Sequence, residues 1–155
     1  MAPAIHHTVL VVSDIDASLR FYVEGIGLEV LRDREVEGDW PTLFGATSNT
    51  LRVVFLGNSS IPDDTAGVLE LNVFPGGAAT GTATSPPPAG ISMISYFVDV
   101  EATLGRLEAL GLARDVRRVE QATPNGSITL ATVRDPDGVL ILLTPGSITA
   151  PTAAG

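Results

Sequence analysis

The sequence predicts an α+β fold in which two βαβββ modules form a curled mixed sheet around a cleft. Three observations support this prediction: an internal repeat, short β-branched segments that alternate apolar and polar residues, and Gly- or Pro-containing turns between them. In the repeat, D-I-D-A-S-L at 14–19 matches D-V-E-A-T-L at 99–104, and Gly27-Leu28 matches Gly111-Leu112. Self-similarity of this kind indicates two copies of one structural unit.

The first module begins with a strand at Ile5–Ser13, which places His7 on one face and His6 on the other. A helix follows, capped by Ser13 or Asp14 and ended by glycines. Further strands are predicted at Leu28–Val36, Leu51–Leu56 and Val68–Phe74, while Trp40–Asn49 is compatible with either helix or loop. The resulting order is β-α-β-β-β.

The second module repeats this order. Its elements are predicted as a strand at Ser92–Val98, a helix at Val100–Leu110 and strands at Ala113–Gln121, Ser127–Val133 and Val139–Thr144. Turns are predicted at P-N-G, residues 124–126, and at D-P-D-G, residues 135–138. Two half-covered sheets are expected to curl towards each other and enclose a cleft, with the helices outside.

By its length, the 155-residue chain is expected to form one domain over residues 1–155. Module one is expected over residues 4–75, a linker over 76–90, module two over 91–146 and a frayed tail over 147–155. The linker prediction rests on the run P-G-G-A-A-T-G-T-A-T-S-P-P-P-A-G, whose composition cannot build a core.

The composition excludes several classes of chemistry. The chain has no cysteine, and all nine of its basic residues are arginine, so thiol and lysine Schiff-base chemistry are absent. A net charge of −9 argues against a nucleic-acid partner. The sequence shows neither a long apolar run nor a secretory signal, which predicts a cytoplasmic protein with no membrane association.

Four motifs resemble the vicinal oxygen chelate superfamily, which includes glyoxalase I, extradiol dioxygenases, methylmalonyl epimerases, fosfomycin-modifying enzymes and bleomycin-binding resistance proteins. The motifs are H-T-V-L-V-V-S-D-I-D-A-S-L-R-F-Y at 7–22, G-I-G-L at 25–28, G-V-L-E-L at 67–71 and D-P-D-G-V-L-I-L-L at 135–143. The resemblance implies the glyoxalase-like fold with a U-shaped cleft. It is a poor guide to the reaction, because one fold hosts many chemistries.

The resemblance also implies a ligand set for a divalent metal: a His, a Glu, a His and a Glu from four strands. In this sequence those positions fall on His7, Glu70, Ser92 and either Leu142 or Ile141. An open catalytic site needs three or more N/O ligands from the protein. The incomplete set therefore predicts no cofactor, with a divalent metal on His7 and Glu70 as the alternative.

The polar residues left at these positions suggest acid–base chemistry. His7 and Glu70 are predicted to transfer a proton, with a hydrogen-bonded structural pair as the alternative. Tyr96 could stabilise an oxyanion, unless it is a core tyrosine. Arg52 could hold a carboxylate or enolate if it faces the cleft, and is a strand-surface charge if it does not.

Further residues are predicted to line the substrate site. Asn72 shares a strand face with Glu70, and Ser92 occupies the third ligand position. Trp40 and Phe44 could wall the cleft, with core packing as their alternative role. His6 is expected to be structural.

Three functions are compatible with these features. The first is a small-molecule isomerase, lyase or ring-opening enzyme that is metal-free or weakly metal-assisted. The second is a binding protein that sequesters a hydrophobic antibiotic or metabolite, as the bleomycin-binding members do. The third is a metal-dependent glyoxalase or epimerase. In each case the partner is a small molecule, and the family resemblance adds a homodimer as an expectation.

Overall fold

The computed structural model describes residues 7–44, 46–61, 67–76, 93–123 and 126–145. The chain divides into two compact units, Met1–Gly81 and Thr82–Gly155. His6, Ser92, the P-N part of the P-N-G turn, most of the predicted linker and the predicted tail lie outside the described residues. The two units, called module one and module two below, are described separately.

Module one contains one four-stranded sheet and two helical segments. Its elements are β1 (His7–Val11), α1 (Ile15–Leu19) with a π-helical continuation (Arg20–Ile26), β2 (Glu29–Glu37), α2 (Trp40–Phe44), β3 (Thr50–Gly57) and β4 (Val68–Val73). The strand order is β1-β4-β3-β2, with β1 parallel to β4 and the other pairs antiparallel. The ambiguous stretch Trp40–Asn49 thus begins as a short helix.

Module two repeats this topology without the small second helix. Its elements are β5 (Ile94–Phe97), α3 (Val100–Ala109), β6 (Arg114–Thr123), β7 (Gly126–Arg134) and β8 (Leu140–Thr144). The strand order is β5-β8-β7-β6, with β5 parallel to β8. Both copies therefore have the βαβββ order that the internal repeat predicted.

An aspartate caps the helix that follows the first strand in each module, and in module one it is Asp14 rather than Ser13. Asp14 Oδ1 accepts a hydrogen bond of 3.0 Å from the Ala17 amide, and Asp99 Oδ1 accepts one of 3.0 Å from the Ala102 amide. These bonds satisfy amides that lack an intrahelical partner. Gly27, with φ of 96°, ends the first helical segment in the left-handed conformation.

Each sheet has one buried face and one open face. In module one, Val54, Leu56 and Leu71 on the buried face are fully buried, as are Phe21 and Tyr22 of the π-helical segment. In module two the buried face carries Val133, Ile141 and Leu143, and α3 contributes Leu104 and Leu107. The open faces carry exposed apolar residues such as Val9 and Val11, which are 44% and 49% exposed. Alternation along the strands separates the two faces.

The D-P-D-G segment forms the predicted turn before β8. Asp135 Oδ1 accepts hydrogen bonds from the amides of Asp137 (3.0 Å) and Val139 (2.7 Å). Asp135 is fully buried and has the role of a turn residue, as predicted. Within the described part of the chain, none of the helices has the length and apolarity to cross a membrane.

Candidate active site

The open face of the module-one sheet forms the floor of a cavity of about 590 Å³. Seven of its lining side chains are apolar and four are polar. The lining residues are His7, Val9, Val11, Arg34, Val36, Trp40, Leu43, Val53, Phe55, Glu70 and Asn72. A largely apolar cavity with a few converging polar groups is typical of a small-molecule site.

His7 and Glu70 meet on this floor. His7 Nε2 lies 3.2 Å from Glu70 Oε2, and the two side chains are 36% and 13% exposed. Val9 stands directly opposite Glu70 in the parallel β1–β4 pair, and His7 shares the face of Val9 because it lies two residues earlier. The contact predicted from the sequence is thus present in the structure.

An aromatic ring supports this pair. Phe55 stands opposite Glu70 in the antiparallel β3–β4 pair, and its ring meets the His7 ring edge to face at a centroid distance of 6.2 Å. Edge-to-face packing restricts the rotation of both rings. The imidazole is therefore held by a carboxylate and by an aromatic ring.

Asn72 lines the cavity two residues beyond Glu70 on the same face. Asn72 is only 7% exposed. No group in the described part of the chain donates a hydrogen bond to its side-chain oxygen, Oδ1. Leaving a buried acceptor without a donor costs free energy. Asn72 thus lines the cavity, and its role in binding a substrate stays a prediction.

Trp40 and Leu43 of α2 form one wall of the cavity. A Cβ atom added to Gly38 would lie 2.5 Å from Cζ2 of Trp40, so only glycine lets the indole lie this close to the backbone. Asp39 Oδ1 accepts a hydrogen bond of 3.2 Å from the Thr42 amide and caps the helix. The Phe44 side chain lies outside the described part of the structure.

Arg34 is a lining residue that the sequence analysis missed. It stands opposite Val53 in the β2–β3 pair and shares its face with Val36. Among the described residues, Arg34 is not part of any ion pair. The alternation of Arg34 and Val36 along β2 is the signal that could have identified it, once the register with β3 was known.

Arg52, predicted as a substrate-binding residue, does not line the cavity. Its neighbour Val53 faces the cavity, so strand alternation directs Arg52 to the other face of β3. There its Nε and a terminal nitrogen donate to the two carboxylate oxygens of Asp33 at 2.9 and 2.7 Å. Hydrogen bonding to Arg52 lowers the pKa of Asp33, and the same pair raises the pKa of Arg52. Arg52 therefore matches the alternative of a strand-surface charge.

The register of module two corrects the position taken for the third metal ligand. In module one the Val12 amide donates to the Asn72 carbonyl, and in module two the Val98 amide donates to the Thr144 carbonyl. Thr144 therefore corresponds to Asn72, so Leu142 corresponds to Glu70, and Met93 rather than Ser92 corresponds to His7. The connection from β5 to the cap Asp99 is one residue shorter than the connection from β1 to the cap Asp14. Equivalent residues of the two strands are therefore 86 positions apart, whereas the two caps are 85 positions apart.

Tyr96, predicted to act on an oxyanion, lies on the buried face of the module-two sheet. It stands opposite Leu143, which is fully buried, while Ser95 and Phe97 take the open face. Burial raises the pKa of the Tyr96 hydroxyl, and the negative charge of Asp135 raises it further. This position corresponds to the core tyrosine that the sequence analysis gave as the alternative.

The donor set does not fit the divalent metal that the family resemblance implied. His7 and Glu70 supply two ligands, and within the described ranges no cluster of three His, Cys, Asp or Glu side chains could hold an ion. The corresponding residues of module two, Met93 and Leu142, offer no oxygen or nitrogen ligand. A catalytic divalent site needs at least three protein N/O ligands.

A family model for the Glyoxalase/Bleomycin resistance protein/Dioxygenase superfamily matches residues 4–143. The chain belongs to this superfamily. It is 39% identical to the lactoylglutathione lyase-like protein terB of Aspergillus terreus, over 90% of this chain and 74% of that protein. It is 31% identical to a probable lactoylglutathione lyase of Vibrio parahaemolyticus, over 90% of this chain and 88% of that protein.

Solved structures of the superfamily share the fold. Glyoxalase I of Zea mays superimposes with a TM-score of 0.63 at 26% identity and covers 92% of this chain. This chain spans only 44% of that maize chain. The glyoxalase-like fold predicted from the sequence is thereby confirmed for this superfamily member.

Proposed function

We propose that this superfamily member is an isomerase or lyase that moves a proton on a small oxygenated substrate without a metal. Glu70 is the base and His7 its proton-donating partner. The observation that carries this proposal is the 3.2 Å distance between Nε2 and Oε2 on the floor of an otherwise apolar cavity. Acid–base groups placed in this way contribute about 10²–10⁴-fold to a rate.

The proposed reaction begins at a C–H bond next to a carbonyl group. A Glu70 carboxylate oxygen takes the proton, and the electron pair of the C–H bond moves into the carbonyl to form an enolate. An isomerisation requires a hydroxyl on the same α-carbon. This hydroxyl passes its proton to the enolate oxygen, directly or through His7, and becomes the new carbonyl, while the protonated Glu70 returns its proton to the former carbonyl carbon. In a lyase reaction, the enolate instead expels a substituent from the next carbon, and the leaving group takes the proton.

The geometry supports Glu70 as the base. His7 Nε2 lies 3.2 Å from Oε2, and no other described residue forms an ion pair with this carboxylate, so Glu70 can accept a substrate proton through Oε1. The apolar walls reduce the water around the carboxylate, which strengthens its electrostatic interactions. Asn72 and Trp40 are proposed to bind the substrate, whereas the positions of Tyr96 and Arg52 support no such role.

Deuterium exchange tests this proposal. In D₂O, proton NMR would follow the α-proton of two probes, the methylglyoxal–glutathione hemithioacetal and 2-hydroxyacetophenone. We expect wild-type protein to exchange at least one of them, and Glu70→Gln to lower that rate by about 10²-fold or more. The matched control is Glu37→Gln, because Glu37 is an exposed glutamate of β2 outside the cavity. Undiminished exchange in Glu70→Gln would contradict the proposal.

A binding protein for a hydrophobic metabolite is the second candidate, because seven of the eleven lining side chains are apolar. Its signature would be tight binding of a probe that is recovered unchanged, with no deuterium at any carbon. The two available ligands do not favour a metalloenzyme. Stoichiometric metal in elemental analysis of the purified protein would support one instead. Assembly as a single domain and as a homodimer remain predictions, which sedimentation and unfolding measurements test.

A further inference from the structure

We propose that the module-one cavity selects amphipathic carboxylates. The ligand's carboxylate binds Arg34, its apolar body lies over Val53, and a hydroxyl or N–H group donates to Asn72 Oδ1. This inference rests on the proposed function only for the choice of cavity. It adds the chemical class of the ligand, and it applies equally to a substrate and to a sequestered metabolite.

Asn72 indicates what one end of the ligand must supply. The residue is 93% buried, since its exposed fraction is 7%, yet it lines the cavity and Oδ1 receives no hydrogen bond from the described residues. A buried acceptor of this kind destabilises the structure as long as it has no donor. A ligand hydroxyl or N–H group would remove this cost, whereas an ether or a hydrocarbon at the same place would not.

Arg34 indicates what the other end must supply. Arg52, on the opposite face of the neighbouring strand, is neutralised by Asp33 through two hydrogen bonds. Arg34 forms no ion pair with any residue in the described ranges, although the chain carries twice as many acidic as basic residues, 18 against 9. A guanidinium group that is not neutralised can bind a carboxylate through two parallel hydrogen bonds.

A second arginine reinforces the positive charge at this edge. Arg32 shares the open face of β2 with Arg34, because the two residues are separated by one position and pair with Phe55 and Val53. It does not line the cavity and forms no ion pair among the described residues. Asp33 and Glu35 of β2 alternate with these arginines and therefore take the other face, so the open face of β2 carries two neighbouring positive charges that attract an anion.

The register fixes the separation of Asn72 and Arg34 along the sheet. Asn72 and Arg34 both stand opposite Val53, one on each neighbouring strand. Two strand spacings place their Cα atoms about 10 Å apart. Between them the floor is the buried Val53, and Val36 and Trp40 also line this region. An aromatic or short aliphatic body fits this span, with polar groups at opposite ends.

The test uses three small probes in NMR titrations of the full chain. They are 3-(4-hydroxyphenyl)propanoate, its uncharged primary amide, and 3-phenylpropanoate, which lacks the hydroxyl. We expect the hydroxylated acid to bind wild-type protein about tenfold or more tightly than the amide, because hydrogen bonds to charged groups are strong. We also expect it to bind more tightly than 3-phenylpropanoate, a comparison that needs no variant.

Two arginine variants assign the charge preference. Arg34→Gln should abolish the difference between acid and amide. Arg118→Gln, which removes the same charge from the exposed surface of module two, should leave it unchanged. Asn72→Leu should abolish the preference for the hydroxyl, and a melting curve checks that this variant is folded.

Three outcomes would overturn the inference: equal binding of acid and amide to wild-type protein, a preference that survives Arg34→Gln, or no binding of any probe. The proposed function fails separately. Glu70→Gln should retain the preference for the acid while losing proton exchange. If wild-type protein prefers the acid but exchanges no proton from any probe, the proposed enzymatic function is wrong, whereas the proposed class of ligand is still supported.

Discussion

The two modules share one topology, but their open faces differ in chemistry. In module one the corresponding positions hold His7, Glu70 and Asn72. In module two they hold Met93, Leu142 and Thr144. The buried faces, in contrast, are alike. Leu71 of module one and the corresponding Leu143 of module two are both fully buried. Core packing is thus common to the two modules, whereas among the described residues at the corresponding positions the His–Glu pair is found in module one and not in module two.

The largest expected effect comes from giving module one the residues of module two. Glu70→Leu and His7→Met should each reduce α-proton exchange, by about 10²–10⁴-fold for Glu70→Leu. The double variant should be little worse than Glu70→Leu alone, because residues that act as a unit are strongly non-additive. Initial rates from the deuterium-exchange assay measure this. Independent, additive losses would show that the two side chains do not act together.

A smaller effect is expected from equivalent truncations of the two cores. Leu71→Ala and Leu143→Ala should each lower the free energy of unfolding by about 2–5 kcal/mol, because each leaves a cavity at a fully buried site. Urea unfolding followed by circular dichroism measures the loss. A much smaller cost for one of them would show that the two cores are not equivalent.

The same experiment tests whether the modules form one domain. The single tryptophan, Trp40, lies in module one, so its fluorescence follows that module. If the predicted single domain is correct, Leu143→Ala should shift the fluorescence transition as much as Leu71→Ala does. An unchanged fluorescence midpoint in Leu143→Ala would mean that the modules unfold independently.

The smallest effect concerns the ion pair on the other face of module one. Hydrogen bonding to Arg52 lowers the pKa of Asp33 in the folded state. The stabilisation is therefore complete above the pKa of the unfolded chain and is lost as the pH falls through the lower, folded pKa. Both side chains are 39% exposed, so solvent screening limits the effect to less than about 1 kcal/mol.

Asp33→Asn checks this effect. The variant should be slightly less stable at pH 7, and its stability should fall less steeply on acidification than that of the wild type. Urea midpoints between neutral and acidic pH measure the difference. Equal slopes for the two proteins would contradict a role of this pair in acid sensitivity. Glu37→Gln provides the control, because Glu37 is an exposed carboxylate of the same strand that forms no ion pair with any described residue.

Local patterns were sufficient to predict most elements of the fold. Alternation placed His7, Val9 and Val11 on one face of β1, and the structure has all three there. Of the two predicted caps for the first helix, Ser13 and Asp14, the structure has Asp14, and Asp99 caps α3 at the matching position of the repeat, since a cap depends on contacts within four residues. Such short-range rules need no knowledge of the partner strand.

Register is what these rules could not supply. A shift of one residue moves every side chain of a strand to the other face. The repeat offset therefore selected Ser92 for the position that the strand pairing assigns to Met93. It also left the face of Tyr96 open between the cleft and the core, and the structure has Tyr96 on the buried face. The short connection between β5 and α3 caused this shift of one residue.

The sequence by itself determined the βαβββ order, its duplication, the superfamily and the loss of half the metal-ligand set, because these depend on local pattern and residue type. Only the tertiary structure decided that Arg34 lines the cavity while Arg52 pairs with Asp33. Both arginines lie in strands of mixed composition, and the side of the sheet that each occupies follows from the pairing of β2 with β3. That pairing is a long-range hydrogen-bond register, which no single strand encodes.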